Sequence, residues 1–279
     1  MVQLTRRSAL GVVGGLAAAM AGCSSGAGPA RGDDDGPMRF AYGDHPSQFA
    51  ELSLPVGRDL APVVVIVHGG YWSAMYGLEL GRPLAADLVG RGFAALNVEY
   101  RRVGGGGGWP QTGEDVAAAV DALRDRAPGR LDLSRVVGLG HSAGGQLAGW
   151  LAARRGGAVP LTGAVLQAGV LDLVRGAEVG LGGGAVEGFL GGSPTERPDV
   201  YAQASPIARV PLGVPTVCVH GTTDSLVPIE QSQRFVAAAT AAGDRAELQT
   251  FDGDHFDPIT VGTPAWDLCV AGLRQLTVR

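Results

Sequence analysis

The chain has 279 residues and a formal net charge of −5, with 22 basic and 27 acidic side chains. An acidic balance does not favour nucleic-acid binding, and the length is ample for a buried core within one α/β domain. The three cysteines and five histidines show no spacing typical of a zinc site, so we expect no bound metal.

The first residues have the features of an export signal. Arg6 and Arg7 precede an apolar segment, residues 9–21, that is too short to cross a bilayer as a mature helix, and the pair is similar to a twin-arginine signal. The sequence Met-Ala-Gly-Cys ending at Cys23 is typical of a bacterial lipobox, the alternative being a general secretory signal with an incidental cysteine.

These features predict three regions. We expect an export signal at residues 1–22, a flexible tether at 23–37 that is rich in Ser, Gly, Pro and Asp, and one folded domain at 38–279. Lipidation of Cys23 would anchor the exported protein to the outer face of the bacterial cytoplasmic membrane, and without lipidation it would be secreted. No later apolar run is long enough to cross a membrane, so any attachment must come from Cys23.

Beyond the tether, strand and helix patterns alternate. Such alternation predicts an α/β fold with a mostly parallel sheet covered by helices on both faces, whose chemistry collects at the carboxyl ends of the strands. We expect the helix at residues 78–91 to be interrupted early by Pro83. The predicted strands are 38–42, 49–54, 63–67, 93–98, 136–139, 164–166, 215–219 and 245–251, and the predicted helices are 78–91, 114–126, 230–241 and 265–276.

A Gly-His-Ser-Ala-Gly segment, residues 140–144, lies between a predicted strand and an Ala- and Leu-rich helix. A serine between two glycines at such a junction fits the G-x-S-x-G nucleophile elbow, in which small neighbours let strand and helix pack closely beneath an exposed hydroxyl. The alternative is a glycine-rich turn without catalytic meaning. The position favours Ser142 as a nucleophile.

His255 is the best candidate for the general base. Serine hydrolases with this elbow carry Ser, acid and His in that chain order, with the histidine on the loop after the last strand. Of the five histidines, only His255 follows both Ser142 and the last predicted strand. Asp224, which follows a predicted strand and lies 31 residues before His255, is the expected acid. Asp172 is the alternative acid, and the other interpretation of Asp172 is the N-cap of a short helix that begins near Leu173.

An oxyanion hole needs main-chain N–H groups aimed at the developing negative charge. The segment His-Gly-Gly-Tyr-Trp, residues 68–72, follows the first buried strand, where its glycines would let the main chain approach a substrate. We expect donors from Gly70, Tyr71 and Ala143, with Gly69 as a further candidate, whereas His68 braces the loop. The alternative is a Gly-Gly turn beside a buried aromatic pair.

Together, His-Gly-Gly-Tyr-Trp, Glu-Tyr-Arg at 99–101, Gly-His-Ser-Ala-Gly-Gly at 140–145, Asp-Ser-Leu-Val-Pro at 224–228 and Asp-His-Phe at 254–256 resemble the esterase/lipase branch of the α/β-hydrolases. The chain is similar to kynurenine formamidase-like and to feruloyl or acetyl esterase-like members. The resemblance implies an acyl-enzyme mechanism without metal or organic cofactor. Two Gly-rich stretches, 104–108 and 176–192, depart from the family pattern and lie where substrate-facing loops or a small lid would be.

The resulting hypothesis is an extracytoplasmic serine hydrolase of small or aromatic acyl esters, a small-molecule substrate class. The alternatives are an arylformamidase, a prolyl-oligopeptidase-like peptidase and a lipid-anchored binding protein without turnover. Tyr71, Trp72 and Trp109 line an acyl pocket or belong to the core, and the sequence leaves both open. We expect Cys218 and Cys269 to be buried free thiols, with a disulfide as the alternative.

Overall fold

The computed structural model describes residues 36–57, 59–126 and 129–278. The predicted export signal, the lipidation site Cys23 and the tether up to residue 35 lie outside the described residues. Within the described ranges, no helix combines the length and the apolar character needed to cross a bilayer.

The strands form a single eight-stranded sheet. They are β1 (Met38–Ala41), β2 (Phe49–Ser53), β3 (Ala61–Val67), β4 (Ala94–Val98), β5 (Leu131–His141), β6 (Gly163–Gln167), β7 (Thr216–Gly221) and β8 (Ala246–Phe251). Their spatial order is β1-β2-β4-β3-β5-β6-β7-β8, with antiparallel pairing of β1 with β2 and of β2 with β4, and parallel pairing elsewhere. The predicted mostly parallel α/β sheet is confirmed.

Helices cover both faces of this sheet. They are α1 (Arg82–Gly90), α2 (Gln111–Asp121), α3 (Ala143–Ala152), α4 (Leu173–Glu178), α5 (Ala185–Leu190), α6 (Pro198–Ala204), α7 (Glu230–Ala241) and α8 (Pro264–Thr277). Alternate residues of β3 pack into the hydrophobic cores on opposite faces of the sheet, because successive side chains of a strand point to opposite faces. Val65 packs in the cluster that contains residues of α2, α3 and α7, and Val64 packs in the cluster that contains residues of α1 and α8.

Two predicted helices differ from the structure by more than one residue at an end. Pro83 lies in the first turn of α1, where its missing N–H would have had no helical partner, so it starts the helix instead of interrupting it. A 3₁₀ turn, Leu78–Gly81, precedes it. The predicted helix at 114–126 begins at Gln111 and ends as an α-helix at Asp121, because a 3₁₀ turn follows.

The connections at the carboxyl edge of the sheet carry the predicted site. The loop of residues 68–72 follows β3, Ser142 follows β5, Asp224 follows β7 and His255 follows β8. The chain between β6 and β7 contributes α4, α5 and α6 and contains the Gly-rich segment, residues 176–192. Since parallel strands end at one edge, these segments share that edge.

Candidate active site

The residue between β5 and α3 has strained backbone angles. Ser142 has φ 55° and ψ −118°, a combination that residues other than glycine rarely adopt. Glycine is required on either side, because a Cβ atom on Gly140 would overlap the carbonyl of Gly144, and one on Gly144 would overlap the carbonyl of Val67. The tight turn therefore places Ser142 at the carboxyl edge of the sheet, directly before α3.

His255 and Asp224 meet from two adjacent strands. The Nδ1–H of His255 donates to Oδ2 of Asp224 over 2.6 Å. The other carboxylate oxygen accepts the main-chain N–H groups of Leu226 and Val227, each at 2.9 Å. A neutral imidazole that donates from Nδ1 carries its lone pair on Nε2, so His255 is prepared to accept a proton there.

The surroundings of Asp224 keep its carboxylate ionised. Burial alone would raise the pKa of this group, but hydrogen bonds from His220 and His255, together with the N–H of Val227, outweigh it and hold the pKa well below its usual range. Asp224 is therefore negative at neutral pH. A negative charge here can balance the charge that His255 gains with a proton.

A second imidazole, at the end of β7, contacts the same carboxylate. Nε2 of His220 lies 2.9 Å from the main-chain oxygen of Val227 and 3.3 Å from Oδ2 of Asp224. Because a carbonyl oxygen can only accept, Nε2 carries a hydrogen, and in the neutral imidazole Nδ1 accepts the hydroxyl of Ser232 over 2.8 Å. His220 thus secures the turn that holds Asp224, a role that sequence analysis did not predict.

His141, which precedes Ser142, contacts the loop that carries His255. Its Nε2–H donates to the main-chain oxygen of His255 over 2.9 Å, and the two ring centroids are 4.5 Å apart. Burial, with a smaller contribution from the neighbouring His255, lowers the pKa of His141 to about 3. His141 is therefore neutral at neutral pH and ties the His255 loop to the residue next to Ser142.

Asp172, the alternative acid, has other partners. Its Oδ1 accepts the main-chain N–H of Arg175 over 3.0 Å and caps α4, as the alternative interpretation of this residue predicts. Its Oδ2 accepts two N–H groups from the guanidinium of Arg234, at 2.8 Å and 2.7 Å. The contacts of Asp172 are those of a helix cap and an ion pair.

The loop after β3 passes beside Ser142 with three consecutive residues at positive φ. Gly70, Tyr71 and Trp72 have φ values of 108°, 56° and 55°. A Cβ atom on Gly69 would lie 3.2 Å from Cβ of Ser142. Among the described residues, the main-chain N–H groups of Gly70 and Tyr71, like that of Ala143, have no protein acceptor. Unpaired donors beside a serine are what an oxyanion hole requires.

Side chains within this loop fix its shape. The ring of His68 stacks on Tyr100 at 4.3 Å, its Nδ1 bonds to the main-chain oxygen of Gly69 at 2.8 Å, and Tyr100 donates to the main-chain oxygen of His68 at 2.7 Å. These contacts agree with a bracing role for His68.

Trp72 anchors the loop in the core. Its Nε1–H donates to Oε1 of Gln146 in α3 over 3.0 Å, and Gln146 donates to the main-chain oxygen of Ala204 over 2.8 Å. The indole stacks on Phe189 of α5 with a centroid distance of 4.6 Å. Only 1% of Trp72 is exposed, so this residue belongs to the core and does not line an acyl pocket.

A groove of about 310 Å³ separates the loop after β3 from the Gly-rich segment. Tyr71 and Tyr76 form one wall of this groove, and Gly182 and Gly188 form the opposite wall. A Cβ atom on Gly182 would lie only 2.6 Å from the ring of Tyr71, so glycine permits the segment to rest on that ring. Tyr71 therefore belongs both to the predicted oxyanion loop and to the groove wall.

The cysteines are separate thiols. Cys218 and Cys269 are buried and unpaired, and burial raises the pKa of each thiol to about 12. Both thiols are therefore protonated at neutral pH. Over residues 36–57, 59–126 and 129–278, no three or more His, Cys, Asp or Glu side chains are arranged to hold a metal ion.

Comparison with known sequences identifies the family. A sequence model of the BD-FAE family matches residues 52–238, which is more than half of the chain. The chain belongs to the BD-FAE family. It is 29% identical over 223 residues to esterase LipC of Mycobacterium tuberculosis, covering 71% of this chain and 53% of LipC.

A plant relative is similar over a comparable share of this chain. The chain is 27% identical over 248 residues to isoprenylcysteine alpha-carbonyl methylesterase ICME of Arabidopsis thaliana, covering 77% of this chain and 55% of ICME. The chain thus spans about half the length of these curated relatives.

Solved structures share the fold. Esterase 2 of Thermogutta terrifontis superposes with a TM-score of 0.70 and 23% identity over 86% of this chain and 91% of that one. A carbohydrate esterase from gut microbiota superposes with a TM-score of 0.72 and 20% identity over 88% of this chain and 99% of that one. The chain therefore has the α/β-hydrolase fold, as predicted.

Within this fold the structure joins His255 to Asp224 and places the loop of Gly70 and Tyr71 beside Ser142. Their catalytic roles remain predictions. Sequence analysis missed His141 and His220 as contacts of the base and the acid. The only sequence signal for either was the position of each histidine at the end of a strand, which does not say which loop it touches.

Proposed function

We propose that this BD-FAE member is a serine hydrolase that cleaves carboxylic esters of small or aromatic acyl groups. The observation that carries the proposal is the 2.6 Å hydrogen bond between His255 and Asp224, at the edge where the strained Ser142 lies. A base oriented by a buried carboxylate beside a serine at an elbow is the arrangement that activates a hydroxyl.

In the first half of the reaction, Oγ of Ser142 attacks the ester carbonyl carbon while Nε2 of His255 takes the hydroxyl proton. The carbonyl oxygen becomes negative and accepts the N–H groups of Gly70, Tyr71 and Ala143. The intermediate then expels the alcohol, which receives its proton from His255, and leaves an acyl group on Ser142. Asp224 keeps its charge throughout and stabilises the imidazolium.

In the second half, water replaces the alcohol. His255 takes one proton from the water as its oxygen attacks the acyl carbon, and the same oxyanion donors stabilise the second intermediate. Collapse breaks the bond to Oγ of Ser142, and His255 returns the proton to that oxygen. The carboxylic acid leaves and the enzyme regains its starting protonation state.

The comparisons support an ester hydrolase. LipC and ICME carry the names esterase and methylesterase, and the superposed structures include esterases. The chain spans about half the length of LipC and ICME, so neither supplies the substrate.

A panel of substrates tests the proposal. Wild type should hydrolyse p-nitrophenyl esters or aryl acetates, and Ser142→Ala should lose that turnover while its circular dichroism and melting temperature stay close to those of wild type. Exclusive turnover of N-formylkynurenine would indicate an arylformamidase, and turnover confined to peptides a peptidase. A folded wild type that hydrolyses none of them would indicate a binding protein and refute the proposal.

We also propose that the protein is exported and anchored to the outer face of the bacterial cytoplasmic membrane through lipid on Cys23. The support is the position of Cys23 between an apolar segment and a polar tether. Mass spectrometry of the N-terminal peptide from the membrane fraction should find an acylated Cys23, and Cys23→Ser should release the protein from that fraction. An unmodified Cys23 in exported protein would refute the anchor.

A further inference from the structure

The groove beside Tyr71 offers an uncharged apolar surface next to the proposed oxyanion donors. The rings of Tyr71 and Tyr76 and the side chain of Met75 form one wall, and none of the described residues that line the groove is charged. Met75 is 83% exposed, so this wall lacks a covering partner within the described residues. A surface of this kind favours a neutral apolar group over a charged one.

The opposite wall has an open position. Ala185 and Gly188 lie three residues apart in α5, a spacing that places them on one side of the helix, and both line the groove together with Gly182. A Cβ atom on Gly188 would meet no atom within 4 Å. Gly188 also lacks the positive φ of Gly182. A side chain at Gly188, which lines the groove, therefore has open space beside it and causes no backbone strain.

The position of the groove in the sheet indicates which half of an ester it receives. Its first wall comes from the loops after β3 and β4, on one side of Ser142, whereas His255 comes from the loop after β8 on the other side. The departing alcohol must face His255, because that residue returns a proton to the alcohol oxygen. With the alcohol oxygen on the His255 side, the opposite side of Ser142, which carries the groove, is left for the acyl half.

From this arrangement we propose that the groove is the acyl subsite of the enzyme, that it takes neutral apolar acyl groups larger than acetyl, and that Gly188 sets their maximum size. The inference rests on the proposed serine-hydrolase function. It goes further by assigning the acyl half of the substrate to a defined surface and by identifying one residue that limits its size.

The test compares p-nitrophenyl acetate with p-nitrophenyl hexanoate in wild type, Gly188→Phe and Gly188→Ala. In Gly188→Phe, the added side chain should lower kcat/KM for the hexanoate by about tenfold or more relative to the acetate. Loss of even one methylene contact in an apolar pocket is worth about tenfold. Gly188→Ala should lower this ratio much less than Gly188→Phe does, since a methyl group fills far less of the groove than a phenyl group.

Gly90→Phe is the matched control. Gly90 also has open space around a built Cβ atom and no positive φ, but it ends α1, ahead of the amino end of β4. Its substitution should leave the hexanoate-to-acetate ratio unchanged. Should Gly188→Phe fail to fold by circular dichroism, Ala185→Leu fills the same groove one helical turn earlier and should lower the same ratio.

Varying the alcohol completes the design. Acetates of small and bulky alcohols should respond alike to Gly188→Phe if the groove holds the acyl group. A ratio that stays constant across the acyl series, or that changes only across the alcohol series, would overturn the inference while leaving the serine hydrolase intact. A wild type that hydrolyses no ester would overturn both proposals.

Discussion

The main-chain oxygen of His255 accepts a hydrogen bond from Nε2 of His141 over 2.9 Å, so the loop of the proposed base is attached to the residue that precedes the proposed nucleophile. The contact joins the end of β5 to the loop after β8, two segments separated by 114 residues. Burial keeps His141 neutral in the folded protein, because it lowers the pKa of this imidazole to about 3.

This burial predicts acid sensitivity of the folded protein. Between about pH 6.5 and pH 3 the unfolded chain binds a proton at His141 that the folded chain does not, so the free energy of unfolding falls with falling pH, by up to about 1.4 kcal/mol per pH unit. Urea titrations at pH 6.5, 5.5 and 4.5 should show this loss, and the loss should be smaller in His141→Gln. His45→Gln, which removes a half-buried histidine, serves as the control. Equal slopes in wild type and His141→Gln would contradict the prediction.

Substitution of the two candidate acids, Asp224 and Asp172, should affect kcat very differently. Asp224→Asn should reduce kcat by roughly 10³- to 10⁴-fold, because His255 loses the partner that fixes its tautomer and balances its charge. Asp172→Asn should leave kcat within about threefold of wild type and cost at most about 1 kcal/mol of stability through the lost ion pair with Arg234, because asparagine caps a helix as well as aspartate does. Steady-state kinetics and thermal melting of both variants check this, and the reverse pattern of kcat values would place the acid at Asp172.

Trp72 should stabilise the fold through its hydrogen bond as well as its stacking. Trp72→Phe leaves the buried Oε1 of Gln146 without its indole donor and should destabilise the protein by about 1–2 kcal/mol more than Trp109→Phe. Trp109 is a matched control, because its buried Nε1 has no hydrogen-bond partner in the part of the chain that the structure describes. Chemical denaturation of the two variants measures the difference. Equal losses would show that the bond to Gln146 contributes nothing.

Much of this fold follows from local patterns. The sequence predicted both β3 and α2. A strand that is buried on both faces is a continuous apolar run, whereas a helix that is buried on one side repeats apolar residues every three or four positions. Strand β5, however, begins at Leu131, five residues before its predicted start, with a register shift against Pro62 and Val63. Asp132, Ser134 and Arg135 interrupt the apolar run and conceal this first part of β5 in the sequence.

Only part of the candidate site, like only part of the fold, could be predicted from the sequence. Ser142, Asp224 and His255 are recognisable because each follows a strand in a fixed chain order. The contacts of His141 and His220 depend on how loops from separate strands meet, which no local pattern encodes. Likewise, the choice between pocket and core for Trp72 was decided by Gln146, which lies 74 residues away.

The two thiols should be inaccessible in the folded protein. Iodoacetamide at pH 8 should leave Cys218 and Cys269 unlabelled in native protein and label both after denaturation, because both are buried and burial raises the pKa of each thiol to about 12. Peptide mass spectrometry identifies the labelled positions and distinguishes them from Cys23. A mass two hydrogens lower with neither cysteine labelled after denaturation would reveal a disulfide instead.

Covalent labelling with a fluorophosphonate tests the central claim most directly, because the probe reacts with an activated serine and needs no knowledge of the natural substrate. Peptide mass spectrometry should find the phosphonyl group on Ser142 of the wild-type protein. Labelling should disappear in Ser142→Ala and slow strongly in His255→Gln, while both variants keep the circular dichroism spectrum of wild type. Folded wild type that remains unlabelled, or that carries the group on another serine, would contradict the assignment of Ser142 as the nucleophile.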